Sequence, residues 1–220
     1  MLVAVLSVLS ELTQPSMDAL EVLRDASQFQ WFTVTLLVLV IYVYAVEVER
    51  RNWDAVLAGL ALWLMDWINE ILNSAILHAT DRSALWTVTG HTSYLILVGL
   101  TIEISMMFLI MGIVFVKMLP GDRELRLAGI PNRWIFVLLF SCLAVFIEEL
   151  LVHTGWFHWE YWFWNKWNPL LIVIFGYATF FAVAAWVYDM QSRARQLRVV
   201  GSLAAVVVVL LATFGLAGWL

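Results

Sequence analysis

The sequence predicts an all-α integral membrane protein, namely a six-transmembrane-helix bundle with an N-terminal interfacial amphipathic helix and a Trp-rich non-cytoplasmic loop. Three observations lead to this fold class. Of the 220 residues, 63% are hydrophobic and only 13% are charged, and the mean hydropathy is +0.88. Six stretches are long and apolar enough to cross a bilayer, which takes roughly 20 residues each. Basic residues collect in alternate connections between those stretches, as the positive-inside rule describes.

One folded domain is predicted, because no hydrophilic block is long enough to fold alone. Residues 1–30 are expected to form an amphipathic interfacial segment, since the first apolar run is too short for a span and lacks the basic start of a signal peptide. Residues 31–220 form the helical membrane domain. Its predicted spans are about 31–48, 55–78, 92–118, 134–153, 169–188 and 199–220.

The distribution of charge predicts the orientation in the membrane, and the cysteine content limits the covalent cross-links. With six spans, nine basic residues fall on one side and only Arg24, Arg82 and Lys166 on the other, so both termini are predicted to be non-cytoplasmic. The single cysteine, Cys142, excludes an intramolecular disulfide. No basic patch interleaved with exposed aromatic residues indicates a nucleic-acid partner. The sequence makes no prediction of oligomeric state.

Ionisable residues inside the second span are a strong functional signal, because a charge within a bilayer is costly and such residues face a bundle interior. Asp66, Asn69, Glu70 and Asn73 have i, i+3, i+4, i+7 spacing, which places them on one stripe of a helix. That stripe is expected to face protein or water instead of lipid.

The third and fourth spans supply further carboxylates. Glu103 is expected ~16 Å from the outer end of its span, and Glu149 ~22 Å along the next, near the level of Glu70. Glu148 adjoins Glu149, and His153 follows one helical turn later. Three helices would then bring carboxylates to one layer outside the midplane. The predicted catalytic residues are Glu70, Glu103, Glu149, Glu148, His153, Asp66, Asn69 and Asn73.

The loop 156–167 is the most aromatic part of the chain, with eight aromatic residues among twelve, five of them Trp. This composition is typical of an aromatic belt at the membrane interface, and it also suits a lid over an apolar ligand. The residues predicted to bind substrate are Trp67, Trp156, Trp159, Tyr161, Trp162 and Tyr177.

These residue types together suit proton chemistry on an apolar substrate. Closely placed buried carboxyl groups cannot all be ionised, so one can serve as a general acid beside a carboxylate base. Trp and Tyr faces would stabilise a developing carbocation. The predicted function is therefore a membrane-embedded enzyme that isomerises, hydrates or cyclises a membrane lipid or isoprenoid-like small molecule by carboxylate acid/base chemistry, and no cofactor is favoured.

A short run also resembles a known motif. Glu149–His153-Thr154-Gly155 followed by Tyr161 resembles a motif in membrane carotenoid hydratases and cyclases, over less than a tenth of the chain. The acidic residues within a small helical membrane protein are similar in general character to sterol isomerases of the emopamil-binding type. No residue role is carried over from either resemblance.

Two alternatives stay open. Glu149-x-x-x-His153 places two metal ligands on one helix face, and Glu70 and Glu103 could complete an iron or copper site in an oxidoreductase or hydroxylase. Intramembrane Asp, Glu and His residues also mark proton relays, so a proton-coupled transporter is the second alternative. A subunit of a larger membrane complex would use the same polar stripe as a contact surface.

Overall fold

The computed structural model describes residues 12–90 and 92–220, so the first part of the predicted N-terminal segment and His91 lie outside the described residues. The described part of the chain is mainly helical. Its helices are α1 (Gln14–Glu21), α2 (Phe32–Glu49), α3 (Trp53–Thr80), α4 (Ile102–Met118), α5 (Asn132–Thr154), α6 (Pro169–Tyr188) and α7 (Arg193–Leu216), with a short 3-10 turn at Ala26–Gln28.

Five of these helices, α2, α3, α5, α6 and α7, are long and apolar enough to cross a membrane. The predicted third span is wrong at its start, because 92–101 is not helical. The apolar run there forms a hairpin of β2 (Leu95–Leu97) and β3 (Leu100–Thr101). The remaining 17 residues of α4 rise ~25 Å, short of a ~30 Å hydrocarbon core. The count of six spans therefore stays a prediction.

Helix α3 is the centre of the bundle and packs against α2, α4, α6 and α7. Small residues on α3, among them Ala55, Ala58 and Ala61, are fully buried and allow neighbouring helices to approach closely. The closest approach is at Gly59, where a Cβ added to Gly112 of α4 would lie 2.7 Å from the Gly59 Cα.

Ion pairs fasten the helices at the end of the bundle that carries the basic residues. Each pair joins two helices, α2 with α4, α5 with α6, and α3 with α7. The pairs are Lys117 with Glu47, Arg133 with Asp189, and Arg193 with Asp54. The Arg133 guanidinium donates two hydrogen bonds of 2.9 Å to the Asp189 carboxylate, the bidentate geometry that gives the firmest ion pairs. A small hairpin of β4 (Arg126–Leu127) and β5 (Ile130–Pro131) lies at this end.

Residues 81–90, 92–101 and 155–168 close the opposite end and are called the cap below. Strand β1 (Trp86–Val88) pairs antiparallel with β6 (Phe157–Trp159), so the Trp-rich loop is held by backbone hydrogen bonds. Helix α1 lies against β1, and Ala19 is fully buried there. The described part of the predicted interfacial segment therefore packs onto the cap.

Candidate functional site

A cavity of about 290 Å³ lies below the cap, between α3, α4, α5 and α6. Most of its wall is apolar, with aliphatic, Met and Phe side chains from α4, α5 and α6. One wall is polar. The polar residues that line the cavity are Asp66, Asn69, Glu70, Glu103, Glu148 and Tyr177. A small apolar chamber with a few convergent polar groups is the usual form of a ligand site.

Three carboxyl groups on this wall have buried oxygens without a hydrogen-bond partner: Asp66 Oδ2, Glu70 Oε2 and Glu148 Oε2. Asp66 is 2% exposed and Glu70 is 4% exposed. The second Glu70 oxygen, Oε1, accepts a hydrogen bond of 3.0 Å from the Trp86 indole N–H. Buried polar groups are normally satisfied, so three carboxyl groups that line one chamber and each keep a buried oxygen without a partner indicate a functional use and not a structural one.

The position of Glu149 differs from the expectation, and Glu148 lies where Glu149 was expected. Neighbouring residues on an α-helix point about 100° apart, so only one of the two can face the bundle from α5. Glu149 is exposed and lines a second pocket with His153 and Lys166, at the outer surface of α5. The structure therefore brings Glu148, and not Glu149 or His153, to Asp66 and Glu70.

A π-helical segment in α6, Ile172–Ala178, shapes the wall opposite α3. Such segments widen a helix locally and occur often at functional sites. Ile172, Gly176 and Tyr177 of this segment line the cavity. The Tyr177 side chain is 7% exposed, and its hydroxyl interacts with the Glu148 carboxyl group.

Gly99, in the turn between β2 and β3, seals the cavity above Glu70. A Cβ at this position would lie 2.4 Å from Trp86 Nε1 and 2.7 Å from Glu70 Oε2. Real side chains do not tolerate such distances, so the backbone of this turn lies directly on the Trp86–Glu70 hydrogen bond. The cap therefore contacts the carboxylate wall itself.

Glu103 borders the cavity at its rim and has hydrogen-bond partners of its own. It is the second residue of α4, and was expected eleven residues into a span. Its carboxylate accepts a 2.7 Å hydrogen bond from the Thr92 hydroxyl and another from the Ser93 backbone N–H. A carboxylate in the first helical turn is also favoured by the helix dipole. Glu103 thus anchors the cap to the start of α4.

Asn73, a predicted catalytic residue, holds the cap instead of facing the cavity. Its side-chain N–H donates to the Trp86 carbonyl at 2.8 Å, and its oxygen accepts from the backbone N–H groups of Leu85 at 2.8 Å and Trp86 at 3.3 Å. The side chain is fully engaged with the backbone of β1. Asn69, one turn earlier on α3, does line the cavity.

These contacts predict that Asn73→Ala destabilises the protein by about 2–4 kcal/mol, because it leaves buried backbone donors and an acceptor in the cap without partners. Thermal unfolding of the purified protein measures this effect. Asn69→Ala is the matched control and should unfold near the wild-type temperature. If the Asn73→Ala variant unfolded at the wild-type temperature, the hydrogen bonds of Asn73 would not be what holds β1 on α3.

The predicted substrate-binding residues separate into inner and outer groups. Tyr177 lines the cavity, and the Trp159 indole lies beside the Glu148 carboxyl group, its buried Nε1 without a hydrogen-bond partner. The Tyr161 hydroxyl donates to the Ser83 carbonyl at 3.0 Å. Trp162 is 81% exposed, as expected of an interfacial anchor.

Two further predicted binding residues lie away from the cavity. The Trp67 indole donates a 3.2 Å hydrogen bond to the Ser105 hydroxyl, which ties α3 to α4. Trp156 is exposed at the edge of the cap. Neither lines the chamber.

Five aromatic residues that line the cavity were not predicted individually, namely Trp86, Phe108, Phe157, Trp164 and Phe180. Trp86 and Trp164 stack with ring centroids 5.7 Å apart beneath the cap, and Phe108 of α4 stacks on Tyr177 at 6.2 Å. Trp86 could have been found from the sequence, because it is a large apolar residue in the connection between two predicted spans. Phe108 could not, because it is one of many apolar residues in its helix.

Glu160 is a partly buried carboxyl group of the cap. Burial raises the pKa of this carboxyl group, and the Thr13 hydroxyl, His158 and Arg82 oppose the shift to a lesser extent. Its backbone N–H donates to the Leu85 carbonyl at 3.2 Å. Glu160 therefore belongs to the contact between the two halves of the cap.

The four residues of the alternative metal site are not brought together. Glu70 and Glu103 border the cavity, whereas Glu149 and His153 lie in the second pocket. Within residues 12–90 and 92–220, no group of three or more His, Cys, Asp or Glu side chains is arranged to hold a metal ion.

Comparison with known proteins places the chain among membrane proteins. The sequence pattern of an "Uncharacterized membrane protein family" matches residues 13–216. An uncharacterized protein of Archaeoglobus fulgidus is 49% identical over 209 residues, covering 94% of this chain and 99% of that protein.

A second, shorter uncharacterized protein of the same organism is 40% identical over 53 residues, which are 24% of this chain and 95% of that protein. No solved structure matches the chain. The family match and the apolar helices confirm the prediction of an integral, multi-pass membrane protein. Since the family pattern covers nearly the whole sequence, the chain belongs to this uncharacterized membrane protein family.

Proposed function

We propose that the protein is a membrane-embedded enzyme that moves protons on and off an unsaturated, apolar lipid or isoprenoid-type substrate. The reaction class is isomerisation, hydration or cyclisation by carboxylate acid/base chemistry. One observation supports this above the others: the carboxyl groups of Asp66, Glu70 and Glu148 line a single, mostly apolar cavity, and each has a buried oxygen without a hydrogen-bond partner. Structural carboxylates in a membrane bundle are paired, as Glu47 and Asp189 are here.

The chemistry needs one carboxylic acid and one carboxylate, and proton balance is kept within the site. The protonated Glu148 carboxyl group transfers its proton to one carbon of a double bond, which leaves a cation at the other carbon. A carboxylate on α3, Glu70 or Asp66, then removes a proton from an adjacent carbon, and the double bond has moved. Attack on the same cation by water gives the hydrated product after loss of a proton. Attack by a second double bond closes a ring and moves the cation to a ring carbon, and the α3 carboxylate then removes a proton from a neighbouring carbon.

The surroundings suit a short-lived cation. The faces of Phe108, Tyr177 and Trp164 border the cavity, and aromatic faces attract cations by about 0.5–2 kcal/mol each. Apolar walls exclude bulk water, so the cation survives long enough to lose its proton or to cyclise. Carboxylates at van der Waals range add electrostatic stabilisation of the kind that dominates most enzyme catalysis.

The shape of the chamber favours an enzyme over a carrier. Below the cavity, Phe108 contacts Phe180 at 5.9 Å between ring centroids, and Phe115 packs on Phe140 and Phe181 at 5.2 and 4.9 Å. These rings separate the chamber from the basic end of the bundle. A proton-coupled carrier would need a polar route through this aromatic layer.

The test uses deuterium, since each of the three reactions attaches a proton from water to carbon. Membranes that contain the wild-type protein are incubated in D2O with lipid extract from the cells that express it, and lipids are analysed by mass spectrometry for non-exchangeable deuterium. We expect a product class labelled by the wild type and absent with the triple variant Asp66→Asn, Glu70→Gln, Glu148→Gln. Equal labelling by both proteins would overturn the proposed function.

A further inference from the structure

The cavity is open on one side, between α4 and α5. Helix α4 packs on α2 and α3, and α5 packs on α6, whereas the backbones of α4 and α5 stay apart beside the cavity. Phe115 of α4 and Phe140 of α5 make a ring contact farther toward the basic end. Among the residues that line the cavity, two are exposed: Met107 of α4, 48%, and Ile147 of α5, 45%. One lies on each of the two helices, and the opening that they border is called the α4–α5 seam below.

The seam lies at the depth of the hydrocarbon region, close under the cap. Met107 is five residues into α4, or ~8 Å, and Ile147 is seven residues before the end of α5, or ~10 Å. Both side chains are apolar, and the neighbouring outer surfaces carry exposed apolar residues such as Val114 and Leu143. An opening with such a rim is suited to the bilayer interior and not to water.

The volume of the cavity limits how much of a substrate it can hold. At about 290 Å³, the cavity lies at the lower end of ligand pockets, which measure about 300–1,000 Å³ and hold drug-sized molecules. A membrane lipid or long isoprenoid is several times larger. The remainder of such a molecule would have to pass through the seam and stay among the lipid chains.

The polar wall specifies the end of the molecule that enters. The carboxyl groups of Asp66, Glu70 and Glu148 line the cavity, and carboxylates accept hydrogen bonds, so this wall matches a hydroxyl or ammonium group and repels a carboxylate or phosphate. Unpaired acceptors of this kind reject ligands that cannot donate.

From these observations we propose that the substrate is a long apolar chain with a hydrogen-bond-donating end group, and that it enters sideways from the bilayer through the α4–α5 seam. Its donor end lies at the carboxylate wall, and its tail stays in the membrane. That the bound molecule is a substrate rests on the proposed function. Its mode of binding can be tested without any turnover.

The experiment measures binding of radiolabelled geranylgeraniol to the purified protein in phosphatidylcholine nanodiscs. We expect saturable binding to the wild type, and at least a tenfold weaker affinity for Met107→Trp and Ile147→Trp, whose indoles fill the seam. Val114→Trp and Leu143→Trp are matched controls on the same two helices, exposed but away from the cavity, and should bind like the wild type. Thermal unfolding verifies that all four variants are folded.

Competition identifies the end group. Geranylgeranylamine should compete with the alcohol, and geranylgeranic acid should not. Loss of affinity in the control variants as large as in the seam variants would overturn the entry route, as would unchanged affinity in the seam variants. Failure of the wild type to bind the alcohol and the amine, or equal competition by the acid, would overturn the end-group assignment.

Failure of this inference and of the proposed function can be told apart. If the protein binds the lipid through the seam but no deuterium is incorporated, the proposed enzymatic function is wrong, and the protein is a lipid-binding protein with lateral entry. If deuterium is incorporated and the seam variants do not reduce it, the enzymatic function stands and the proposed entry route is wrong.

Discussion

Glu148→Gln is expected to reduce deuterium incorporation at least 100-fold while leaving the protein folded. The amide keeps the shape of the side chain but cannot transfer a proton, and loss of a general acid typically costs 10²–10⁴ in rate. Stability should stay equal or rise, because the substitution removes an ionisable group whose Oε2 has no hydrogen-bond partner, and such groups are costly in a bundle interior.

The neighbouring residue provides the control for this prediction. Glu149→Gln makes the same chemical change one residue away on α5, but at the outer surface of the bundle. It should retain activity within about twofold. If the two variants lose activity equally, or if Glu148→Gln unfolds while Glu149→Gln does not, Glu148 is a structural residue and not the acid.

Gly112→Val is expected to cause a large loss of stability. The Cβ would lie 2.7 Å from the Gly59 Cα and 2.9 Å from the Gly59 carbonyl oxygen. Both are backbone atoms of α3, so no side chain can move to relieve the overlap and the two helices must separate. We expect a cost of about 3 kcal/mol, at the upper end of overpacking penalties, or a fall in unfolding temperature of roughly 6–12 °C.

Gly201→Val tests whether the effect comes from the helix crossing. Gly201 lies in α7, and a Cβ there meets nothing within 4 Å, so this variant should unfold near the wild-type temperature. The measurement is thermal unfolding of detergent-purified protein followed by size-exclusion chromatography. Equal unfolding temperatures for the two Val variants would contradict a tight α3–α4 crossing.

Periodicity predicted the site well on α3 and poorly elsewhere, for a physical reason. On α3 the polar residues stand out against apolar neighbours, so Asp66, Asn69 and Glu70 were predicted on one face, and that face borders the cavity. On α5 both the lipid-facing and the core-facing sides are apolar, because lipid tails and a membrane-protein core have the same polarity. Spacing alone therefore could not tell Glu148 from Glu149.

The cap was the part of the fold that could not be predicted from the sequence. The apolar run 92–101 has the composition of a helix, yet it forms a hairpin, and its pairing partners are set by contacts with Arg24, Glu103 and the start of α4. The π-helical segment of α6 has no sequence signature. Both features depend on tertiary contacts, which outweigh local propensity in short segments.

The ion pairs at the basic end have a consequence for exchange of the bound chain. Helices α4 and α5 are each tied to other partners there, through Lys117 with Glu47 and Arg133 with Asp189, while the cap joins their opposite ends. With both ends held and Phe115 on Phe140 joining the helices nearer the basic end, admitting a chain requires only that α4 and α5 move apart at the seam, close under the cap. Such motion has the microsecond-to-millisecond character of collective helix movement. Its rate is then governed by the lateral pressure and thickness of the surrounding bilayer more than by the global stability of the bundle.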